Sequence, residues 1–152
     1  MRLFSRLFYA INSLRWRITR PLTLGVRLLL LRDQSVLLVK HTYAKYWYLV
    51  GGGVKKNETL EQAARREALE EVGAQLGNLT LCGVYSNFSE SKSDHIILFV
   101  CSDFSVSGKT DSEIAGFRFF DLDKLPEDIS PATKRRIQEY LDNDGNPSVA
   151  LW

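Results

Sequence analysis

The stretch Gly52–Ala74, GGVKKNETLEQAARREALEEVGA, places glycines, an arginine and glutamates at fixed intervals. Thr59 followed by Gln62 is the capping-box pattern that starts a helix, and Gly73 suits the position that ends one. Between them, apolar residues recur at helical spacing. The sequence therefore predicts a helix over residues 60–72.

Three glutamates of this predicted helix, Glu67, Glu70 and Glu71, fall at positions i, i+3 and i+4. Their carboxylates share one face of the helix, where like charges repel unless a cation lies among them. Hard oxygen ligands of this kind suit Mg²⁺ or Mn²⁺. Such a metal neutralises charge on phosphate oxygens and lowers the pKa of a bound water that attacks phosphorus.

A loop of three glycines, Gly51 to Gly53, precedes the helix. A helix with acidic residues at this spacing can equally be a solvated surface, and a glycine run can be a simple flexible turn. Glycines, however, let a ligand approach the backbone closely, so their position before the helix favours the metal site. The stretch lacks the Lys-Ser/Thr ending of a P-loop, which excludes that reading.

The full pattern, Gly52, five residues, Glu58, seven residues and then Arg66-Glu67-Ala68-Leu69-Glu70-Glu71-Val72-Gly73-Ala74, resembles the Nudix box. The resemblance implies an α/β/α sandwich with a mixed β-sheet. It also implies a hydrolase that uses Mg²⁺ to cleave nucleoside diphosphates linked to another moiety. The chain departs mildly from the family at Ala68 and Ala74, where bulky aliphatic residues are usual, and at Val50, where proline is frequent.

The resemblance also suggests roles for single residues. Arg66 would orient Glu67, and the carbonyl of Gly51 would be a further metal ligand. Glu67 or Glu70 would help to deprotonate the attacking water, whereas Glu58 would pair with a cation rather than bind metal. The predicted catalytic residues are Glu67, Glu70 and Arg66, and the predicted metal ligands are Gly51, Glu67, Glu70, Glu71 and Glu113.

Glu113 is included because it stands where some family members carry a distal acidic ligand or base. Glu90 and Asp94, in the polar loop at 86–94, are rivals for that role, and all three can instead be solvated surface residues. Aromatic residues near the box could stack on a nucleobase or belong to the core: Trp47, Tyr48 and Phe88. Arg27 and Lys45 are candidate phosphate contacts or surface residues, and His95 suits a strand edge.

The length of 152 residues and the 45% hydrophobic content allow one well-cored domain. The remaining segments predict strands near 23–31, 36–39, 79–85, 95–101 and 117–120, and a second helix from Ser130-Pro131 to about residue 141. The tail, 142–152, reads as a loop or as an ordered arm against a neighbour. Strands joined by hairpins and helical crossovers predict a mixed sheet covered by helices.

Charge is unevenly distributed along the chain. Residues 1–32 hold seven arginines and no acidic residue, so they carry +7, and because the chain carries +2, the other 120 residues carry −5. Apolar residues recur at helical spacing among these arginines: Leu3, Phe4, Leu7, Phe8, Ile11, Leu14 and Ile18. The sequence therefore predicts a basic amphipathic extension at 1–21, and the resemblance implies a Nudix domain at 22–152.

Three roles stay open for this extension: a helix on an anionic membrane, a helix packed on its own domain or a partner subunit, and a targeting presequence. No apolar run reaches transmembrane length. The two cysteines, Cys82 and Cys101, lie in apolar runs without a CxxC spacing and predict buried thiols in a reducing compartment. We expect a cytoplasmic protein, with peripheral membrane contact as the alternative.

The substrate does not follow from the sequence. Where ADP-ribose pyrophosphatases of the family tend to carry a proline after the box, this chain has Ser89 and Glu90, and the NADH-type phrase is absent. Nucleoside triphosphates, oxidised nucleotides and sugar nucleotides stay open, and no specific nucleic acid is expected. A non-catalytic nucleotide sensor with a Nudix fold is the alternative function, although no box glutamate is missing.

Overall fold

The fold is seen in a computed structural model that describes residues 21–88, 92–108 and 112–152. Glu90 and the predicted basic extension up to residue 20 lie outside these ranges. In chain order the elements are β1 (Leu22–Arg32), β2 (Ser35–His41), β3 (Trp47–Leu49), α1 (Leu60–Val72), β4 (Ala74–Leu76), β5 (Thr80–Asn87), β6 (Ser93–Cys101), β7 (Phe104–Val106), β8 (Ile114–Asp121), α2 (Pro131–Asp142) and β9 (Ser148–Leu151).

Within the described ranges, seven strands form one mixed sheet. Its path runs β3-β2-β1-β6-β5-β9, and β8 pairs with β2 off this path. β1 runs parallel to β6, from Leu22 opposite Ser93 to Leu30 opposite Cys101, whereas β5 is antiparallel to β6. β4 and β7 form a separate two-stranded sheet. The predicted mixed sheet is confirmed.

The sheet is covered on both faces. Leu28 of β1 belongs to the same buried cluster as Ala68 of α1, whereas the next residue, Leu29, belongs to a second cluster with Ile137 of α2. Successive side chains of a strand point to opposite faces, so a strand buried on both faces reads as a nearly continuous apolar run. This explains the composition of β1 and confirms the α/β/α sandwich.

Helix α1 spans the predicted residues 60–72. The Thr59 side chain accepts a hydrogen bond from the Gln62 amide, and the Gln62 side chain accepts one from the Thr59 amide, which completes the capping box. Gly73 ends the helix in the left-handed conformation, with φ of 63°, which suits a residue without a Cβ. The helix that carries the box glutamates is therefore fixed locally at both ends.

Helix α2 begins at Pro131, as predicted, but Ser130 does not cap it with its side chain. Ser130 is buried, its amide donates to the carbonyl of Trp47, and its carbonyl accepts from the amide of Lys134. Ser130 therefore occupies the predicted N-cap position before Pro131, but its side chain makes no capping hydrogen bond.

The expectation of a loop or an arm against a neighbour is wrong for the end of the tail. Residues Ser148–Leu151 form β9, which lies parallel to β5 of the same chain. Beyond it, the Trp152 amide donates to the carbonyl of Ser86, and the Trp152 ring contacts the Tyr85 ring edge-on at a centroid distance of 5.6 Å. Such a short strand has no local signature and depends on a partner strand distant in sequence. The same reason explains why β3, β4 and β7, each three residues long, were not predicted.

Both cysteines are buried and free, as predicted. Cys82 belongs to the cluster on the α2 side of the sheet and Cys101 to the cluster on the α1 side, so the sheet separates them. Burial raises the pKa of the Cys82 thiol to about 11, which keeps it protonated near neutral pH. Across the described part of the chain, no helix is long and apolar enough to cross a membrane.

Candidate active site

The glutamates of α1 line a pocket of about 200 Å³. Helical spacing places the carboxylates of Glu67, Glu70 and Glu71 on one side of α1, while Ala64 and Ala68 face the core. Glu71 is 8% exposed, whereas the Glu70 side chain is 44% exposed at the rim. The residues that line the pocket are His41, Glu67, Glu70, Glu71, Glu113 and Ile114. The structure thus brings together four of the predicted acidic residues.

Arg66 connects these glutamates to the rest of the box. Its Nη1 donates to Glu67 Oε1 at 2.5 Å and to Glu70 Oε2 at 3.1 Å. Its Nη2 donates to the carbonyl of Gly53 at 2.9 Å. The other side of the guanidinium binds both oxygens of Glu58, as expected for a glutamate that pairs with a cation. Arg66 is therefore held by the loop and by Glu58 while it contacts the pocket.

The charges of this network shift each other's pKa values. The hydrogen bonds from Arg66, followed by one from the Lys55 amide, lower the pKa of Glu58 from 4.5 to about 2. In turn, the hydrogen bond to Glu58 is the largest cause that raises the pKa of Arg66 above its usual value. Glu58 and Arg66 are therefore both charged over the physiological pH range.

The glycine loop lies against both the pocket and β1. The Gly51 amide donates to Glu71 Oε2 at 2.9 Å, which fixes one oxygen of that buried carboxylate. The carbonyls of Val50 and Gly52 accept from amides of β1, and among the described residues no hydrogen bond to the Gly51 carbonyl is found. A Cβ on Gly51, whose φ is 132°, would lie 2.2 Å from the carbonyl oxygen of Val26. The loop thus requires glycine here, and the Gly51 carbonyl accepts no backbone hydrogen bond from the described residues.

His41 belongs to the site, although sequence reasoning did not select it. Leu37, Val39 and His41 alternate along β2 and share the face toward α1, so the period-two pattern was a usable signal. His41 Nε2 lies 3.8 Å from Glu71 Oε1. Opposite it, the register between β2 and β8 shifts at Ala115. This irregularity cannot be read from the sequence alone.

The predicted ligand Glu113 lines the pocket, and its carbonyl accepts from the Thr42 amide at 2.8 Å. Asp94 instead accepts a hydrogen bond from the Thr23 hydroxyl at 2.6 Å and so joins β1 to β6. His95 hydrogen bonds with Ser86 across β5 and β6, in agreement with the expected strand role. Of these two candidate ligands, Glu113 therefore lies at the pocket and Asp94 joins two strands.

The predicted base-stacking and phosphate-contact residues lie in different surroundings. The Trp47 ring packs edge-on against Phe120 at 5.0 Å, and Tyr48 packs against the core cluster on the α1 side. Phe88 is exposed and meets the ring of His95. The Lys45 ammonium lies over the Tyr46 ring, and Arg27 donates to the Val26 carbonyl. Trp47 thus packs within the fold, Tyr48 also meets the His41 ring at a centroid distance of 5.9 Å, and the two cations have contacts outside the pocket.

The donor atoms of the pocket fit a hard divalent cation. Glutamate carboxylates and a free carbonyl oxygen are the ligands that Mg²⁺ and Mn²⁺ prefer. In the described ranges, no three His, Cys, Asp or Glu side chains cluster tightly enough to hold a metal ion in their present rotamers. The rotamers of Glu67 and Glu70 place both on Arg66 instead.

Comparison with known proteins agrees with this geometry. A NUDIX domain family model matches residues 21–140. The chain is 33% identical over 131 residues to a Bacillus subtilis (strain 168) protein provisionally named 8-oxo-dGTP diphosphatase. The matched region covers 85% of this chain and 87% of that relative. It is 30% identical over 115 residues to an ADP-ribose pyrophosphatase of Methanocaldococcus jannaschii, covering 72% of this chain and 68% of that protein.

Solved structures show the same fold. The crystal structure of a MutT NUDIX hydrolase from Burkholderia pseudomallei superposes with a TM-score of 0.70 at 26% identity and covers 78% of this chain and 97% of that chain. A NUDIX hydrolase from Nitrosomonas europaea gives 0.69 at 26% identity, covering 86% and 78%. The chain is therefore a member of the Nudix hydrolase family.

Proposed function

We propose that this protein hydrolyses a diphosphate bond in a nucleotide-type substrate and that Mg²⁺ or Mn²⁺ is required. The main observation behind this proposal is that four glutamates line one pocket of about 200 Å³. Substrate phosphates are anionic, so carboxylates repel them unless a cation lies between the two. The proposed metal ligands are Glu67, Glu70, Glu71, Glu113 and the Gly51 carbonyl.

When bound, such a cation neutralises charge on the substrate phosphates and lowers the pKa of a metal-bound water. The protein's own residues would prepare the site for this chemistry. Arg66 holds Glu67 and Glu70 on one side, and the Gly51 amide holds Glu71 on the other. We assign acceptance of the proton from the attacking water to Glu67 or Glu70. Hydrogen bonds of this kind orient the carboxylates that ligate a metal.

The substrate class is supported by the relatives, whose names specify 8-oxo-dGTP, ADP-ribose and NAD-capped RNA. All three molecules contain a nucleotide joined through a phosphate anhydride. We therefore propose a nucleoside diphosphate or triphosphate derivative for this chain, without choosing among them. No described feature supports a sensor without catalysis over this activity.

The test is a panel of 8-oxo-dGTP, dGTP, ADP-ribose, NADH and a sugar nucleotide, each assayed with Mg²⁺, with Mn²⁺ and with EDTA. We expect turnover of at least one nucleotide that EDTA abolishes and added metal restores. Undiminished turnover in EDTA would contradict the metal requirement. Tight nucleotide binding without turnover under every metal condition would establish the sensor function instead.

A further inference from the structure

The end of β2 brings an aromatic pair to the rim of the acidic pocket. His41 lines the pocket, and the ring of Tyr43 stacks on the His41 ring with a centroid distance of 5.3 Å and an interplanar angle of 25°. Tyr43 is nevertheless 59% exposed. One face of the Tyr43 ring therefore rests on the wall of the pocket, and much of the ring remains open to solvent.

The charges of two pocket glutamates act on the Tyr43 hydroxyl. Partial burial is the main cause that raises the pKa of Tyr43 above 10.0, and the charges of Glu113 and Glu71 raise it further. The hydrogen bond from the Thr42 amide to the Glu113 carbonyl ties the segment that carries Tyr43 to the start of β8. Tyr43 thus contacts the pocket wall through its ring, and the neighbouring residue Thr42 joins the same segment to Glu113 through the backbone.

Other aromatic side chains near the box lack this combination. The Trp47 ring packs against Phe120 and has Lys40 over it, and Tyr48 is partly buried on the core. Phe88 is 62% exposed, but it contacts His95 rather than a residue that lines the acidic pocket. In the described ranges, Tyr43 is the exposed aromatic residue that stacks directly on the pocket wall.

We propose that the open face of Tyr43 stacks on the nucleobase of the substrate while the diphosphate lies in the glutamate pocket. The inference rests on the proposed function, because it concerns the substrate of that same site. Every nucleobase has a π face, so a tyrosine platform binds bases without strong selectivity among them. Tyr43 is therefore a binding residue that raises affinity for a nucleotide over a diphosphate without a base.

The test compares Tyr43→Ala and Tyr43→Phe with the wild type on the best nucleotide of the panel. Loss of one base–aromatic stack costs about 1–3 kcal/mol of binding free energy, and about 1.4 kcal/mol corresponds to tenfold in affinity. Tyr43→Ala should therefore raise KM about tenfold while kcat stays within about twofold. Tyr43→Phe keeps the ring and should retain the wild-type KM. Tyr46→Ala, in the same loop with its ring beneath Lys45, is the matched control and should also retain it.

A base-free competitor separates stacking from damage to the pocket. Inorganic tripolyphosphate with Mg²⁺ should inhibit the wild type and Tyr43→Ala with the same Ki. An unchanged KM in Tyr43→Ala would overturn the proposal, and so would a parallel rise in KM and in the tripolyphosphate Ki. If Tyr43→Ala does not fold, Tyr43→Leu, which keeps an apolar side chain without a π face, should show the same raised KM.

Failure of the proposed function gives a different result. If the wild type turns over no nucleotide in the panel, the proposed function fails, and stacking is then measured as nucleotide binding by calorimetry in Mg²⁺. A dissociation constant about tenfold weaker in Tyr43→Ala than in the wild type and Tyr43→Phe would still support the platform. Equal dissociation constants, or no nucleotide binding by the wild type, would overturn it.

Discussion

Arg66 and Glu58 form a two-point ion pair, in which Nε donates to Oε1 at 2.7 Å and Nη2 donates to Oε2 at 2.9 Å. Both side chains are largely covered, with 19% and 13% exposed. The parallel geometry fixes the plane of the guanidinium, so that its remaining nitrogen, Nη1, points to Glu67 and Glu70. Glu58 thus acts on the pocket through Arg66.

Replacing Arg66 by lysine should reduce turnover although it conserves the charge. Lysine cannot bind Glu58 at two points and contact the pocket glutamates at the same time. We expect kcat/KM to fall about 10- to 100-fold, the range found when residues that orient metal ligands are changed. Arg65→Lys is the control, because Arg65 binds the carbonyl of Gly77 and no glutamate of the pocket. Wild-type kinetics in Arg66→Lys would contradict the role of Arg66 in orienting the pocket glutamates.

Replacing Glu70 by glutamine removes one pocket charge and keeps the volume of the side chain. Its side chain is 44% exposed, so the fold should persist while kcat falls by about 100-fold or more. Glu61→Gln, on the first turn of the same helix and paired with Arg65, should keep wild-type turnover. The measurement is steady-state kinetics at saturating Mg²⁺, together with the melting temperature. Equal kcat in wild type and Glu70→Gln would show that the site is misplaced.

Replacement by alanine should lower activity at Gly52 but not at the adjacent Gly53. A Cβ on Gly52 would lie 2.6 Å from the carboxylate of Glu67, whereas a Cβ on Gly53 would meet no atom within 4 Å. The end of a glutamate side chain can move, so Gly52→Ala should displace Glu67 and lower activity with little loss of stability. Gly53→Ala should be close to the wild type in both respects. Kinetics and thermal unfolding of the two variants check this, and equal activities would contradict it.

Acid should weaken the fold partly through Glu58. Its pKa is about 2 in the folded protein and about 4.5 when unfolded, so the unfolded state takes up the proton first as the pH falls. The contribution of Glu58 to the free energy of unfolding is therefore complete above about pH 4.5 and is lost toward about pH 2. Urea unfolding at about pH 6, 4.5 and 3 should show a shallower decline for Glu58→Gln than for the wild type. Identical declines would contradict the ion pair as a source of acid sensitivity.

Deleting residues 1–20 should leave turnover intact, because every proposed ligand lies beyond residue 50. Leu22 and Leu24, which lie within four residues of this segment, are 71% and 47% exposed. If the segment packs on the domain, truncation should lower the melting temperature, since each buried large apolar side chain contributes about 1.5–3 kcal/mol. Salt-sensitive binding to anionic liposomes that truncation abolishes would support the membrane role. A folded truncated protein without turnover would contradict dispensability.

Helix α1, and the common face of its glutamates, could be predicted because both depend on residues close together in the sequence. The capping bonds of Thr59 and Gln62 span three residues, and the left-handed end at Gly73 depends on a residue without a Cβ. The strands β1 and β6 were predictable for a related reason: burial on both faces demands long apolar runs. Short strands such as β9 were not predictable, because their pairing energy comes from a partner far along the chain.

The sequence by itself determined the helix, the spacing of the acidic residues and the family. Only the tertiary structure separated the candidate Glu113 from Asp94 and added His41 to Glu67, Glu70 and Glu71. Glu113 reaches the pocket because β8 pairs with β2 and shifts its register at Ala115, and at the end of β2 His41 lines the pocket while Tyr43 stacks on His41. Contacts within a helix turn follow from spacing along the chain. Contacts between β2, α1 and β8 follow from how the core packs, and one sequence does not display that directly.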